Sequence, residues 1–117
     1  MRLLIAEDNE QMRSLIKTIM TDPAHTLFEC ADGGSAVLMY DSVHPDCVLM
    51  DVEMKPVDGI TATRQIKASH PEAKIIIVTN YGDTRTRAAA AQAGAVGFLE
   101  KENLVSLRKL VDEVAVV

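Results

Sequence analysis

Apolar runs of strand length alternate with stretches of helical period five times along this chain, a pattern that points to βα units laid into a mostly parallel sheet. The clearest strand runs are Leu3-Leu4-Ile5-Ala6, Val48-Leu49-Met50, Ile75-Ile76-Ile77-Val78 and Val96-Gly97-Phe98-Leu99, with the third strand running from about Asp46 to Met50. Between them, Met12, Leu15, Ile16 and Ile19 recur on one face of a first helix, with Gln11, Arg13 and Lys17 opposite and Asn9 placed to cap it. A second helix follows a Gly33-Gly34 break and carries Ala36, Met39, Tyr40 and Val43 on one face before Pro45 ends it. The turn Pro56-Val57-Asp58-Gly59 precedes a weakly amphipathic helix from about Ile60 to Ser69. The fourth helix, roughly Thr84 to Ala93, is mostly alanine and stops at Gly94; with little side chain to grip the sheet, it is expected to be the least firmly packed. Leu104, Leu107, Leu110, Val111 and Val114 give the last helix a wide apolar face. The chain then ends at Ala115-Val116-Val117 without a linker, which suggests an excised domain or an interface at helix five.

A chain of 117 residues is one domain, 1–117, large enough to bury a single core without disulfide or structural metal. Aromatic residues are only 3%, so that core must be aliphatic and alanine-rich. The net charge of -5, with no Lys/Arg cluster interleaved with aromatics, argues against direct nucleic-acid binding. The N-terminal apolar stretch is interrupted at Glu7 and Asp8, too short for a signal peptide or a membrane span, so the expected setting is cytoplasmic. Cys30 and Cys47 fall in strands without metal-binding spacing and read as buried, reduced thiols. His25, His44 and His70 lie in three separate connections, and nothing in the sequence groups them.

Glu7 and Asp8 follow the first strand directly, Asp51 follows the third, Thr79 closes the fourth and Lys101 comes after the fifth. In an open parallel sheet, ligands bind in the crevice outside the carboxyl ends of the strands, so these side chains are aimed at one place. Two carboxylates about 4 Å apart repel by ~4 kcal/mol at an effective dielectric of about 20, so three cannot crowd together uncompensated. Either their pKa values rise or cations enter. Lys101 supplies one positive charge, and oxygen-only ligands with room for water suit Mg²⁺ better than zinc. Such a spot suits a phosphoryl group, with Asp51 as nucleophile, Asp8 and Asp51 on the metal, Glu7 helping through water, Lys101 paired with one phosphoryl oxygen and Thr79 bonded to another.

The order Glu-Asp, Asp-x-x-Met, Thr, Lys, with Asp51-Val52-Glu53-Met54 and Gly94-Ala95-Val96-Gly97-Phe98-Leu99-Glu100-Lys101, resembles the receiver domain of two-component response regulators over essentially the whole chain. The resemblance implies a flavodoxin-like (βα)5 three-layer sandwich, with a parallel five-stranded sheet in the order 2-1-3-4-5. It implies phosphorylation of Asp51 by a sensor histidine kinase or phosphotransfer protein in the presence of Mg²⁺, the backbone carbonyl of Glu53 completing the metal site. Enzymatic activity would be limited to self-phosphorylation from a phosphodonor and autodephosphorylation. It also implies a switch: Thr79 moves to bond the phosphoryl group, and Phe98 turns into the space it leaves. Helix four, strand five and helix five would present the outcome to an output domain or partner protein, or pair two copies. Phe98 lacks a hydroxyl, so its inward state rests on packing.

The chain departs from the usual receiver pattern in three places. Lys55 follows Met54 where a proline is usual, Pro56 coming one later; Asn80 and Tyr81 follow Thr79 where a small residue is usual; and Glu102 replaces the proline after Lys101, leaving that peptide's geometry open. Three rival readings bear on the same acids. A haloacid dehalogenase type of hydrolase wants Asp rather than Glu53 at the second motif position and has a cap for which this chain has no room. A flavodoxin-type electron carrier needs a hydroxyl-rich phosphate loop where Glu7-Asp8-Asn9-Glu10 stands. A receiver-like interaction module that works without phosphorylation is the strongest alternative.

Overall fold

The computed structural model describes residues 1–115. Five parallel strands, β1 (Arg2–Ala6), β2 (Thr26–Cys30), β3 (Cys47–Met50), β4 (Ile75–Thr79) and β5 (Gly97–Glu100), stand in the order β2-β1-β3-β4-β5. Five helices alternate with them: α1 (Glu10–Met20), α2 (Gly33–Val43), α3 (Gly59–Ser69), α4 (Thr84–Ala93) and α5 (Leu107–Ala115). The flavodoxin-like arrangement and its strand order are those expected. Every residue of β3 and β4 is buried, because helices cover both faces of the sheet and the strands alternate between two cores. Leu4, Ala6, Val48, Met50, Ile75 and Ile77 point into one with α2, α3 and α4, while Leu3, Ile5, Leu49, Ile76 and Val78 point into the other with α1 and α5.

Local chemistry explains where three of the helices start. Asn9, Asp32 and Asp58 each accept a backbone N–H of the first turn they precede, from Met12, Ser35 and Thr61 respectively. The second helix begins at Gly33, so the glycine pair lies inside its first turn and does not break the chain ahead of it; the Gly33 N–H donates to Val57 O at 3.0 Å. Leu15 differs from expectation as well: it is 46% exposed, and Ile16 and Met20 are the buried anchors of α1. Ahead of α5 the chain winds as a 3-10 turn over Lys101–Ser106. The winding is interrupted at Asn103 (φ -109°, ψ 28°), and Lys101, Leu104 and Leu107 on either side of this kink all turn inward. Strand β5 sits one residue later than the apolar run, leaving Val96 half exposed.

His44 and His70 are grouped after all. They end α2 and α3, which pack side by side, and their rings lie 5.9 Å apart around Tyr40, with His70 Nε2 2.6 Å from Asp41 Oδ1. His25 stands apart, its Nδ1 2.9 Å from Met20 O. Cys47 is buried and Cys30 half-buried, both free; burial pushes their thiols up to about 12 and about 11. No helix among the described residues is long and apolar enough to cross a membrane. The expectation about Val116 and Val117 lies outside the described residues.

Candidate functional site

The site forms where β1, β3, β4 and β5 end. The Glu7 N–H donates to Cys30 O (3.0 Å) and the Asp51 N–H to Ala6 O (2.9 Å), so strand pairing carries both residues one step beyond the sheet. Glu7 is 1% and Asp51 5% exposed, whereas Asp8 faces solvent. One carboxylate oxygen from each of these three acids lies within 4.8 Å of the others. The Lys101 ammonium enters from the 3-10 turn and stands 2.6 Å from Glu7 Oε1 and 3.2 Å from Asp51 Oδ1. Four of the residues expected to converge therefore do so.

The loop after β3 is fixed from below. Gly59, the first residue of α3, donates its N–H to Val52 O at 2.9 Å, and a Cβ there would stand 1.8 Å from Asp51 O. No residue but glycine allows the helix to approach the carbonyl of Asp51 so closely. Glu7 is held by its neighbours too: its Oε2 accepts the Asn9 N–H at 3.1 Å, and its backbone carbonyl accepts Arg13 Nη1 at 2.8 Å.

Thr79 is fully buried, and its hydroxyl accepts the Tyr81 N–H at 3.1 Å. That bond ties it to its own loop, and among the described residues it makes no hydrogen bond to the acids. The Glu53 side chain is exposed and lies outside the acid cluster; its carboxylate faces the Tyr81 phenol and, as the largest cause, pushes that phenol's pKa up. This pairing across the mouth of the site joins two loops that sequence spacing alone does not connect. Phe98 is half-buried on β5, beside Ile77 in register, with the Arg87 guanidinium over its ring. The Lys101–Glu102 peptide is trans; the cis bond of the described residues is Lys55–Pro56.

Two hollows flank the site, one beside Asp8 and the other beside Lys101. One, about 570 Å³, is lined by Asp8, Val52, Glu53, Met54, Lys55 and Asp58. The other, about 340 Å³, is lined by Asn9, Gln11, Met12, Leu15, Asn80 and Lys101, so the exposure of Leu15 belongs to the wall of the site.

Burial and the neighbouring charge of Glu7 push the Asp51 carboxyl up to about 7, and Lys101 offsets only part of this. Burial works against the Lys101 ammonium as well, yet its bonds to Glu7 and Asp51 outweigh that penalty and its pKa rises. The site thus carries more negative charge than its one lysine neutralises. Glu7 Oε1, although ion-paired to Lys101, accepts no hydrogen bond of good geometry. An under-satisfied buried oxygen within a set of three carboxylates is a donor set for a hard, oxygen-seeking divalent cation, and Mg²⁺ fits it.

The sequence profile described as the response regulator receiver domain matches residues 3–115. The chain belongs to that family. It is 37% identical over 100 residues to the chemotaxis protein CheY of Halobacterium salinarum, covering 86% of this chain and 83% of that protein. Among solved structures it is similar to the receiver domain of a sensor histidine kinase from Pseudomonas aeruginosa, described with a magnesium ion coordinated in the active-site cleft. That match has a TM-score of 0.90 and 26% identity, and covers 99% of this chain and 98% of that one. It is also similar to a chain in the CheX-CheY-BeF3-Mg complex of Borrelia burgdorferi, with a TM-score of 0.89 and 25% identity, covering 97% of this chain and 87% of that one. Receiver domains are signalling modules of two-component and chemotaxis systems. They bind Mg²⁺ in an acidic pocket and work with histidine kinases, phosphotransfer proteins and output partners.

Proposed function

We propose that this receiver domain accepts a phosphoryl group on Asp51 from a phosphohistidine of a sensor kinase or phosphotransfer protein. The observation that carries the reading is the placement of Asp51, buried at the end of β3 with the Lys101 ammonium 3.2 Å from its Oδ1 and two further acids beside it. In the transfer, the N–P bond of the donor breaks as an Asp51 oxygen bonds to phosphorus, and the imidazole leaves with the electron pair. Lys101 neutralises one equatorial oxygen, and the Thr79 hydroxyl donates to another after leaving the Tyr81 N–H. Asp8 and Asp51 would hold Mg²⁺, with Glu7 helping through water and the Glu53 backbone carbonyl contributing, and the ion would supply positive charge for the transferring group. The chemistry on this reading is self-phosphorylation from a phosphodonor and hydrolysis of the acyl phosphate. A cytoplasmic setting goes with it, since the donors are kinases of two-component signalling.

Output on this reading goes through Phe98. Its ring borders a hollow of about 210 Å³ between α4 and β5 and another of about 320 Å³ between β5 and α5, so turning it inward reshapes the α4-β5-α5 face. That face would engage an output domain, a partner protein or a second copy. The alternative, a module that binds partners without phosphorylation, draws on Tyr81, half exposed and facing Glu53 across the mouth of the site.

The test is incubation of the purified chain with acetyl phosphate and Mg²⁺, followed by intact mass. A labile phosphoryl adduct that disappears in Asp51→Asn and without Mg²⁺ is expected. No adduct, together with no response to beryllofluoride, would favour the phosphorylation-independent module.

A further inference from the structure

We propose that Arg87 is a latch that holds Phe98 and the loop after β4 in the unphosphorylated arrangement and so sets how readily this domain switches. The inference rests on the phosphoacceptor reading above. Arg87 lies on the second turn of α4 and reaches three other places at once. Its guanidinium carbon is 4.4 Å from the centroid of the Phe98 ring, its Nη2 is 3.0 Å from Glu100 Oε1, and its Nε donates to Gly82 O at 3.0 Å. A planar guanidinium can stack on a ring and use its edge for a carboxylate and a carbonyl at the same time, which an ammonium cannot.

The partners matter as much as the contacts. Phe98 and Glu100 are on β5, and Glu100 stands in register with Thr79 on β4. Gly82 lies in the loop that runs from Thr79 to α4, and the Glu100 side chain is packed against it so closely that a Cβ at Gly82 would be 1.7 Å from Glu100 Oε1. Arg87 therefore ties together the ring that must turn and the loop that must move if Thr79 is to leave the Tyr81 N–H for a phosphoryl oxygen. An inward turn of Phe98 breaks the stack, and a shift of the loop breaks the bond to Gly82.

A lone exposed ion pair contributes little, and Arg87 is half exposed. Here the pair is one of three contacts made by a single side chain, and the helix that carries it has only Ala90 and Ala93 buried beneath it. Contacts present in one state and lost in the other bias the equilibrium by their difference, so removing them favours the switched state. We expect beryllofluoride with Mg²⁺ to act at about 3- to 10-fold lower concentration on Arg87→Ala, as loss of a cation–π contact and a partly exposed pair would give.

The chain has only two phenylalanines, Phe28 and Phe98, so uniform labelling with 4-fluorophenylalanine gives two fluorine resonances, assigned with Phe28→Leu. In Arg87→Ala, the Phe98 resonance should move toward its beryllofluoride-bound position before any ligand is added, and the titration midpoint should fall. Arg87→Lys, which keeps the charge but loses the fork and the planar stack, should move both readouts in the same direction; Glu100→Gln, which keeps the stack, should move them less. Unchanged midpoints and an unmoved Phe98 resonance in Arg87→Ala, with a wild type that responds, would overturn the latch alone. A wild type that ignores beryllofluoride and Mg²⁺ would overturn the phosphoacceptor reading and the latch with it.

Discussion

The helices that follow the two central site strands are fastened in different ways. After β3, α3 is capped by Asp58, buries Ala62, Thr63 and Ile66, and starts with a glycine pressed against the Asp51 carbonyl. After β4, α4 buries only Ala90 and Ala93, and its longer reach to the sheet is the polar grip of Arg87. The first arrangement holds Asp51, the proposed phosphoacceptor, in place. The second would let the Thr79 hydroxyl and the Phe98 ring move as proposed, because polar contacts at a surface cost little to exchange for others, while packed aliphatic contacts do not. On the proposed reading the site would have a rigid half that holds Asp51 and a movable half that carries Thr79 and Phe98.

Breaking the rigid half should have the largest effect. Gly59→Ala places a methyl against backbone, where nothing flexible can give way, and should cost ~3 kcal/mol or more in a urea melt. A loss under about 1 kcal/mol would mean that α3 is not held as described.

Charge balance comes next. Lys101→Met leaves buried Glu7 and Asp51 without their cation, a change that costs about 3 kcal/mol where the charges stay buried. The loss should be greatest in EDTA and partly recovered with millimolar Mg²⁺, since the ion replaces the missing charge. Equal losses in both conditions would count against a cation at the acids.

Asp51→Asn tests the same field through pH. The native carboxyl, raised to about 7 from an ordinary 3.8, binds its proton more tightly than the unfolded chain does, so native stability falls as pH rises from about 4 to about 7. In EDTA, the Asn variant should be more stable than wild type by on the order of 2 kcal/mol at pH 8, the gain shrinking toward zero near pH 4. Stability curves that run parallel across that range would show that Asp51 is not destabilised by burial.

The smallest effect sharpens the contrast between the helices. Exposed mid-helix Gln65→Gly in α3 should lower global stability by ~0.5–1 kcal/mol. Exposed Ala88→Gly in α4 should lower it by less than about 0.5 kcal/mol, even though alanine is the better helix former, because α4 opens locally before the rest unfolds. The reverse order in chemical melts would place the weaker element at α3.

The fold was legible because βα alternation is a local pattern, and the strand ends were legible because each apolar run stops at a chemically distinct residue. That directs Glu7, Asp8, Asp51, Thr79 and Lys101 to one crevice, of which all but Thr79 meet and Thr79 bonds its own loop instead. What the sequence hid depends on contacts between distant segments. Leu15 repeats with the apolar face of α1 yet lines the open hollow beside Lys101, because the helix buries Ile16 and Met20 instead. The 3-10 turn at Lys101 looks, by periodicity, like the start of α5. His44 with His70, Glu53 with Tyr81 and Arg87 with Phe98 are each brought together by tertiary packing, and no spacing rule joins them.

The division of the site into halves is tested most directly by hydrogen exchange on the whole chain with and without beryllofluoride and Mg²⁺. Amides from Asn80 to Ala93 and along β5 should change their exchange, while the first turn of α3 and the end of β3 stay as protected as before. A change spread evenly over both helices, or one confined to α3, would contradict a fixed acceptor with a moving hydroxyl.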